Sequence, residues 1–105
     1  MPREDLELHL RRTGGLAGLP MVASLDTREL AADEAERILE ALDHVDLAHV
    51  EDRPGAAPGA RDTFHYDLEV RRPGRTDAVR FNERQMPPEL KPVIRSLMRR
   101  AQLAT

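Results

Sequence analysis

Four histidines, at positions 9, 44, 49 and 65, carry the most versatile chemistry in this 105-residue sequence, and their spacing argues against a catalytic or zinc role. Zinc peptidases and deaminases draw their ligands from short patterns such as HExxH, where two imidazoles one helical turn apart share a face, and no such pattern occurs. His9 and His65 alternate with apolar neighbours, which puts them on the polar side of strands as exposed sheet residues. His44 and His49 stand five apart with Asp43 and Asp46 close by; the set could hold a metal, and a helix end running into a loop accounts for it equally well. Two serines, Ser24 and Ser96, with no GxSxG elbow offer no activated hydroxyl. Carboxylates are plentiful but spread round a helix surface, as solvation requires. The absence of cysteine excludes thiolate zinc sites, redox CxxC pairs, cysteine nucleophiles and disulfide frameworks. The residues therefore point away from an enzyme, and no cofactor is expected.

A glycine cluster is the other chemically suggestive feature. Gly14, Gly15 and Gly18 fall within nine residues, Arg12 to Pro20, but without the Lys-Ser/Thr of a phosphate loop or GxGxxG spacing. The segment joins two strands instead of opening a helix, so phosphate binding is a poor fit. A hairpin tip needs glycines for positive φ. It does not need the apolar Leu16, Ala17 and Leu19 that are interleaved with them; apolar residues on a tip suggest burial in the protein's own core or in a partner.

The elements that position this tip are legible. Leu6, Leu8 and Leu10 alternate with Glu7, His9 and Arg11, and Met21, Ala23 and Leu25 alternate after the glycines, giving an antiparallel hairpin. Leu30, Ala35, Ile38, Leu39 and Leu42 repeat at helical spacing, which predicts an amphipathic helix from near Ala32 to near Asp43, with Asp33 and Glu34 at its positive end. Val45, Leu47 and Val50 fit a short extended segment, and residues 51–61, with two Pro-Gly breaks, fit none. Phe64, Tyr66, Leu68 and Val70 alternate as a strand, Pro73-Gly74 makes a turn, and Val79 and Phe81 continue in a second strand. A last helix carries Leu90, Val93, Ile94, Leu97 and Met98 on one side, with Pro92 predicting an irregular or tight start. The fold class is α+β: a two-layer sandwich of a four-stranded, mainly antiparallel sheet with two helices on one face. Strand adjacency across the hairpins is left open. Following the chain up and down, residues 14–20, 51–61 and 83–87 should gather at one end, as in a binding module that presents loops from a stiff scaffold.

Length and composition set the frame. The chain suits one domain over residues 1–105, and 40% hydrophobic with 33% charged residues is globular composition. No signal peptide or membrane span is read, so a cytoplasmic site follows by default. The net charge of −3 conceals a segment from Asp26 to Asp52 with ten acidic residues against Arg28 and Arg37, and one from Arg71 to Arg100 with nine basic residues against three acidic. Mutual attraction of the two segments is the plain reading. A nucleic-acid patch is the sharper one, weakened by the acidic segment and by the presence of only two Phe and one Tyr.

Four pieces, in order along the whole chain, resemble one family: Arg12-Thr13-Gly14-Gly15-Leu16-Ala17-Gly18-Leu19-Pro20; the Leu30 to Leu42 helix with Asp33-Glu34-Ala35-Glu36-Arg37; Asp62-Thr63-Phe64-His65-Tyr66; and Met86-Pro87-Pro88-Glu89-Leu90. Together they resemble the emfourin-like protealysin inhibitors. The match departs at Leu16, where a larger residue such as Phe is associated with the family. The resemblance implies inhibition of a thermolysin-like (protealysin-type) bacterial zinc metalloprotease encoded by a neighbouring gene, with the zinc belonging to the partner. The implied docking residues are Gly14, Gly15, Leu16, Ala17, Gly18 and Leu19 on the tip, with Pro54, Gly55, Ala56, Ala57, Pro58 and Gly59 as a second arm. The expected inhibitor is a monomer that engages neither nucleic acid nor membrane. Two alternatives stand beside it: a regulatory or nucleic-acid-associated domain using Arg71, Arg72, Arg75, Arg95, Arg99 and Arg100, and a structural subunit that self-associates through the tip.

Overall fold

The computed structural model describes residues 5–15, 18–53 and 63–104. Strands β1 (Glu7–Gly14) and β2 (Met21–Asp26) form the first hairpin, followed by helix α1 (Ala32–Asp43). Strands β3 (Phe64–Arg72) and β4 (Arg75–Asn82) form the second, followed by helix α2 (Lys91–Met98) and a two-residue strand, β5 (Gln102–Leu103). The fold is α+β with an open antiparallel sheet ordered β4-β3-β1-β2-β5. It has five strands where the sequence suggested four: two residues cannot display a periodicity, and β5 exists through its pairing with Met21 and Val22 on the edge of β2.

The hairpins are joined through β1 and β3, which run antiparallel with Leu8 opposite Val70 and Leu10 opposite Leu68. Across β1 the same residues face Leu25 and Ala23. This continuous apolar face forms the core with Ile38 and Leu42 of α1 and Val93, Ile94 and Leu97 of α2. Because side chains alternate along a strand, the other face carries His9, Arg11, Asp67, Glu69 and Arg80, all of them partly or fully exposed. Neither helix has a side-chain N-cap, but the first turn of each suits its residues. Acidic Asp33 and Glu34 occupy the first turn of α1. Pro92 sits at the second position of α2, where its missing N–H has no intrahelical acceptor to lose, and a 3-10 turn at Pro88–Leu90 precedes it, in line with the irregular start expected.

The segment expected to be extended around Val45 to Val50 is instead a 3-10 helix, Leu47–Asp52. Leu47 and Val50, three apart, are its buried pair, and three residues per turn stacks them on one side; the Asp46 side chain caps it by accepting from the Ala48 N–H at 3.2 Å. This turn lies along the outer edge of β4, where Glu51 Oε1 accepts from the Arg80 backbone N–H at 2.9 Å. An otherwise open sheet edge is thereby occupied.

Attraction between the acidic and basic segments is concentrated at one point. Glu34 on α1 receives Arg99 at 3.2 Å and Arg100 at 3.4 Å, and the Ser96 hydroxyl donates to the same carboxylate oxygen. That hydroxyl, ahead of the two guanidinium groups, holds the Glu34 carboxyl below the usual carboxylate range. The sheet arginines pair locally instead: Arg80 with Asp67, Arg72 and Arg75 with Asp77, and Arg71 with Glu69 and Glu7. No helix among the described residues is long and apolar enough to cross a membrane.

Candidate functional site

Antiparallel pairing decides what meets at each end of the sheet. Gly14 at the end of β1 stands opposite Phe64 at the start of β3, and His65 stands opposite Asn82 at the end of β4. The end of β1, the start of β3 and the exit from β4 therefore share one end, as the up-and-down reading anticipated for the glycine-rich connection and for residues 83–87; residues 54–61 of the third connection lie outside the described residues. The Pro73-Gly74 turn, between Arg72 and Arg75, is at the other.

Gly14 and Gly15 are held tightly here. Gly14 has φ +86°, and a Cβ on it would fall 2.6 Å from the Thr63 carbonyl oxygen; Gly15 has φ +77°, and a Cβ there would fall 2.5 Å from Phe64 Cε1. Both positions require glycine, for conformation and for space. Gly18 and Leu19 continue the segment toward β2. Leu19 is 57% exposed, and Leu103, beside Met21 in the sheet register, is 54% exposed; these are the large hydrophobic side chains left open to solvent among the described residues. Leu16 and Ala17 lie outside the described residues, as do Pro54, Gly55, Ala56, Ala57, Pro58 and Gly59. Their flanks belong to this same end. Thr63 closes on Gly14, and Arg53 donates from Nε to the Gln85 backbone oxygen at 2.8 Å.

The β4 exit is fixed by a reciprocal cap. Asn82 Oδ1 accepts from the backbone N–H groups of Arg84 and Gln85, while Gln85 Oε1 accepts from the Asn82 N–H at 3.0 Å. The Gln85 amide also donates to the Glu51 carbonyl at 2.9 Å and the Arg53 carbonyl at 3.1 Å, tying the 3-10 segment to the sheet. Behind the tip, Arg12 lays its guanidinium over the Phe64 ring, 4.0 Å from the centroid, and Tyr66 stacks on Phe81 at 5.5 Å. Burial, more than neighbouring charge, pushes the Tyr66 hydroxyl pKa up, so it stays neutral.

Arg12, Phe64, Gln85 and Leu103 were not singled out as site residues. Two left a signal: Arg12 takes an inward position in the alternation of β1, and Asn82-Glu83-Arg84-Gln85 has the spacing of a capping box. Leu103 left none.

His44 and His49 are engaged locally. His49 Nδ1 lies 2.5 Å from Asp46 Oδ2, which raises its pKa, and His44 Nδ1 lies 2.8 Å from the Glu40 carbonyl oxygen. No group of three or more metal-binding side chains is assembled among the described residues. A broad depression of about 1440 Å³ lies on the open sheet face between His9, Arg11, His65, Asp67 and Arg80. It exceeds the roughly 300–1,000 Å³ of small-molecule sites and is a shallow, charge-paired surface rather than an apolar enclosure. The end of the sheet is the better candidate because it combines exposed apolar side chains with a restrained backbone.

No curated protein and no solved structure matches this chain. The Emfourin family model matches residues 10–98, from within β1 to the end of α2, and takes in both hairpins and both helices. The chain thus belongs to the Emfourin family.

Proposed function

We propose that this protein inhibits a thermolysin-like zinc metalloprotease of the protealysin type by seating the glycine-rich end of its sheet in the protease's active-site cleft. Membership of the Emfourin family carries this reading. The chemistry of the target makes it physically coherent. A thermolysin-like protease holds zinc in a cleft between lobes and prefers an apolar residue just after the scissile bond. A non-hydrolysed occupant needs a stiff backbone, an apolar plug and an oxygen near the metal in a geometry that water cannot exploit. Leu16 or Leu19 is the plug, and glycine allows the backbone to approach closely. Residues 14–19 include no carboxylate, so the metal-facing oxygen is a backbone carbonyl. Residues 54–59 form the second arm, where Pro54 and Pro58 limit the entropy lost on docking. The inhibitor acts as a cytoplasmic monomer, catalyses nothing itself, and is encoded beside its target.

The test is titration of such a protease with the purified protein at several salt concentrations. Inhibition should be stoichiometric, persist at moderate salt, and be lost in Leu16→Asp and Leu19→Asp while Arg99→Ala/Arg100→Ala keeps it. The nucleic-acid alternative expects steep salt dependence and loss in the arginine variant instead. It is disfavoured because Arg71, Arg72, Arg75, Arg99 and Arg100 are each already paired with a carboxylate. A mass independent of concentration would dispose of self-association through the tip.

A further inference from the structure

The core-facing side of β1 reads Leu8, Leu10, Arg12, Gly14, so a guanidinium stands where the strand otherwise places leucines. Register sets Arg12 between Met21 and Tyr66. Its Nε is removed from solvent and has no hydrogen-bond acceptor among the described residues. The guanidinium otherwise hydrogen-bonds the Tyr66 side chain and lies over the face of Phe64, 4.0 Å from its carbon to the ring centroid. The same ring bears on the backbone of Gly15, where a Cβ would come within 2.5 Å of Cε1. Glycine backbones are the loosest in any chain, and two successive glycines at φ +86° and +77° lead out of β1. Pairing with Phe64 in the ladder holds Gly14, and at Gly15, beyond the strand, the Phe64 ring stacked on Arg12 is the contact in place to do it.

We infer that Arg12 and Phe64 are positioning residues: the guanidinium–ring stack fixes the backbone at Gly15, where the glycine-rich segment leaves β1, before any protease is met. This rests on the inhibitor reading for its consequence, though not for its geometry. A backbone already fixed at Gly15 loses less conformational freedom on binding, so the clamp strengthens inhibition without touching the protease. Arginine suits the position because its planar cation stacks on an aromatic face, and Lys conserves the charge–ring attraction in a weaker form.

The test uses Phe64→Leu and Arg12→Met, which remove the ring and the charge, with Phe64→Tyr and Arg12→Lys as conservative counterparts. Amide hydrogen exchange at Gly15, Gly18 and Leu19 in the free protein is read alongside inhibition of a thermolysin-like protease. Both disruptive variants should speed exchange at those amides and weaken inhibition by about tenfold, equivalent to ~1.4 kcal/mol. Exchange at Leu68 and Ile38 should stay as in the parent protein, and Phe64→Tyr and Arg12→Lys should recover most of both effects. Unchanged exchange at Gly15 and Gly18, or weakening that Phe64→Tyr does not rescue, overturns the inference. If the parent protein fails to inhibit, the inhibitor reading falls while the exchange result still decides whether the stack positions the segment.

Discussion

Replacing Gln85 with Met keeps the length and much of the volume of a side chain that is 5% exposed and deletes its three hydrogen bonds. The Asn82 N–H loses the Gln85 Oε1 acceptor at the end of β4, and the carbonyls of Glu51 and Arg53 lose the donors that tie the 3-10 segment to the sheet. A typical hydrogen bond contributes a net of about 1 kcal/mol, and a buried group left without a partner costs more than one that water reaches. Glu51 and Arg53 are exposed, so water can replace part of what their carbonyls lose, whereas Asn82 is buried. The expected loss is therefore about 2–3 kcal/mol, with the Asn82 N–H the largest part. For a chain of this size that lowers Tm by roughly 10–20 °C. Urea unfolding followed by circular dichroism gives the value directly, with Gln102→Met as the control. Gln102 is exposed on the two-residue β5, and its substitution should fall within about 0.5 kcal/mol of the parent. A Gln85→Met midpoint indistinguishable from that of Gln102→Met would refute the view that this glutamine anchors the end of the sheet.

Two further perturbations probe the same framework. Gly14→Ala should destabilise by at least ~1 kcal/mol more than Gly74→Ala, because both have positive φ but only Gly14 would also drive a Cβ against a backbone oxygen, at 2.6 Å; equal urea midpoints would contradict this. Glu34→Gln should lower stability at pH 7 and converge on the parent protein in acid. The folded-state pKa of Glu34 is depressed, so its contribution is complete above the unfolded value of roughly 4.3 and disappears as pH falls through the lowered folded value. Thermal unfolding at pH 7 and pH 3 measures the two gaps, and a gap of the same size at both would remove Glu34 from the helix–helix contact.

The parts of the fold written in a repeating period were readable from sequence, and the parts made by partners were not. The alternations at Leu6–Leu8–Leu10 and Tyr66–Leu68–Val70 identified strands, and the helical spacing of Ala35, Ile38 and Leu42 identified α1. Adjacency of β1 and β3 was invisible because it depends on cross-strand packing such as Leu10 against Leu68. Leu47 and Val50 misled because the extended reading ran them together with Val45, which packs against the core ahead of the turn, whereas the three-residue spacing of the buried pair belongs to the 3-10 helix. Among site residues, the glycines at 14 and 15 were legible as a tip. Their reason was not, since it lies in Thr63 and Phe64 some fifty positions away. Arg12 could be seen only as an exception to a pattern, and Leu103 only through β2.

The most direct test of docking through the glycine-rich end is competition at the protease active site. A thermolysin-like protease is titrated with this protein at increasing concentrations of a small hydroxamate that occupies the zinc and the adjoining apolar subsite. Cleft docking predicts that the apparent inhibition constant rises in proportion to hydroxamate occupancy, and that Leu19→Asp abolishes inhibition in its absence. Inhibition that is indifferent to the hydroxamate, or undiminished in Leu19→Asp, would contradict it.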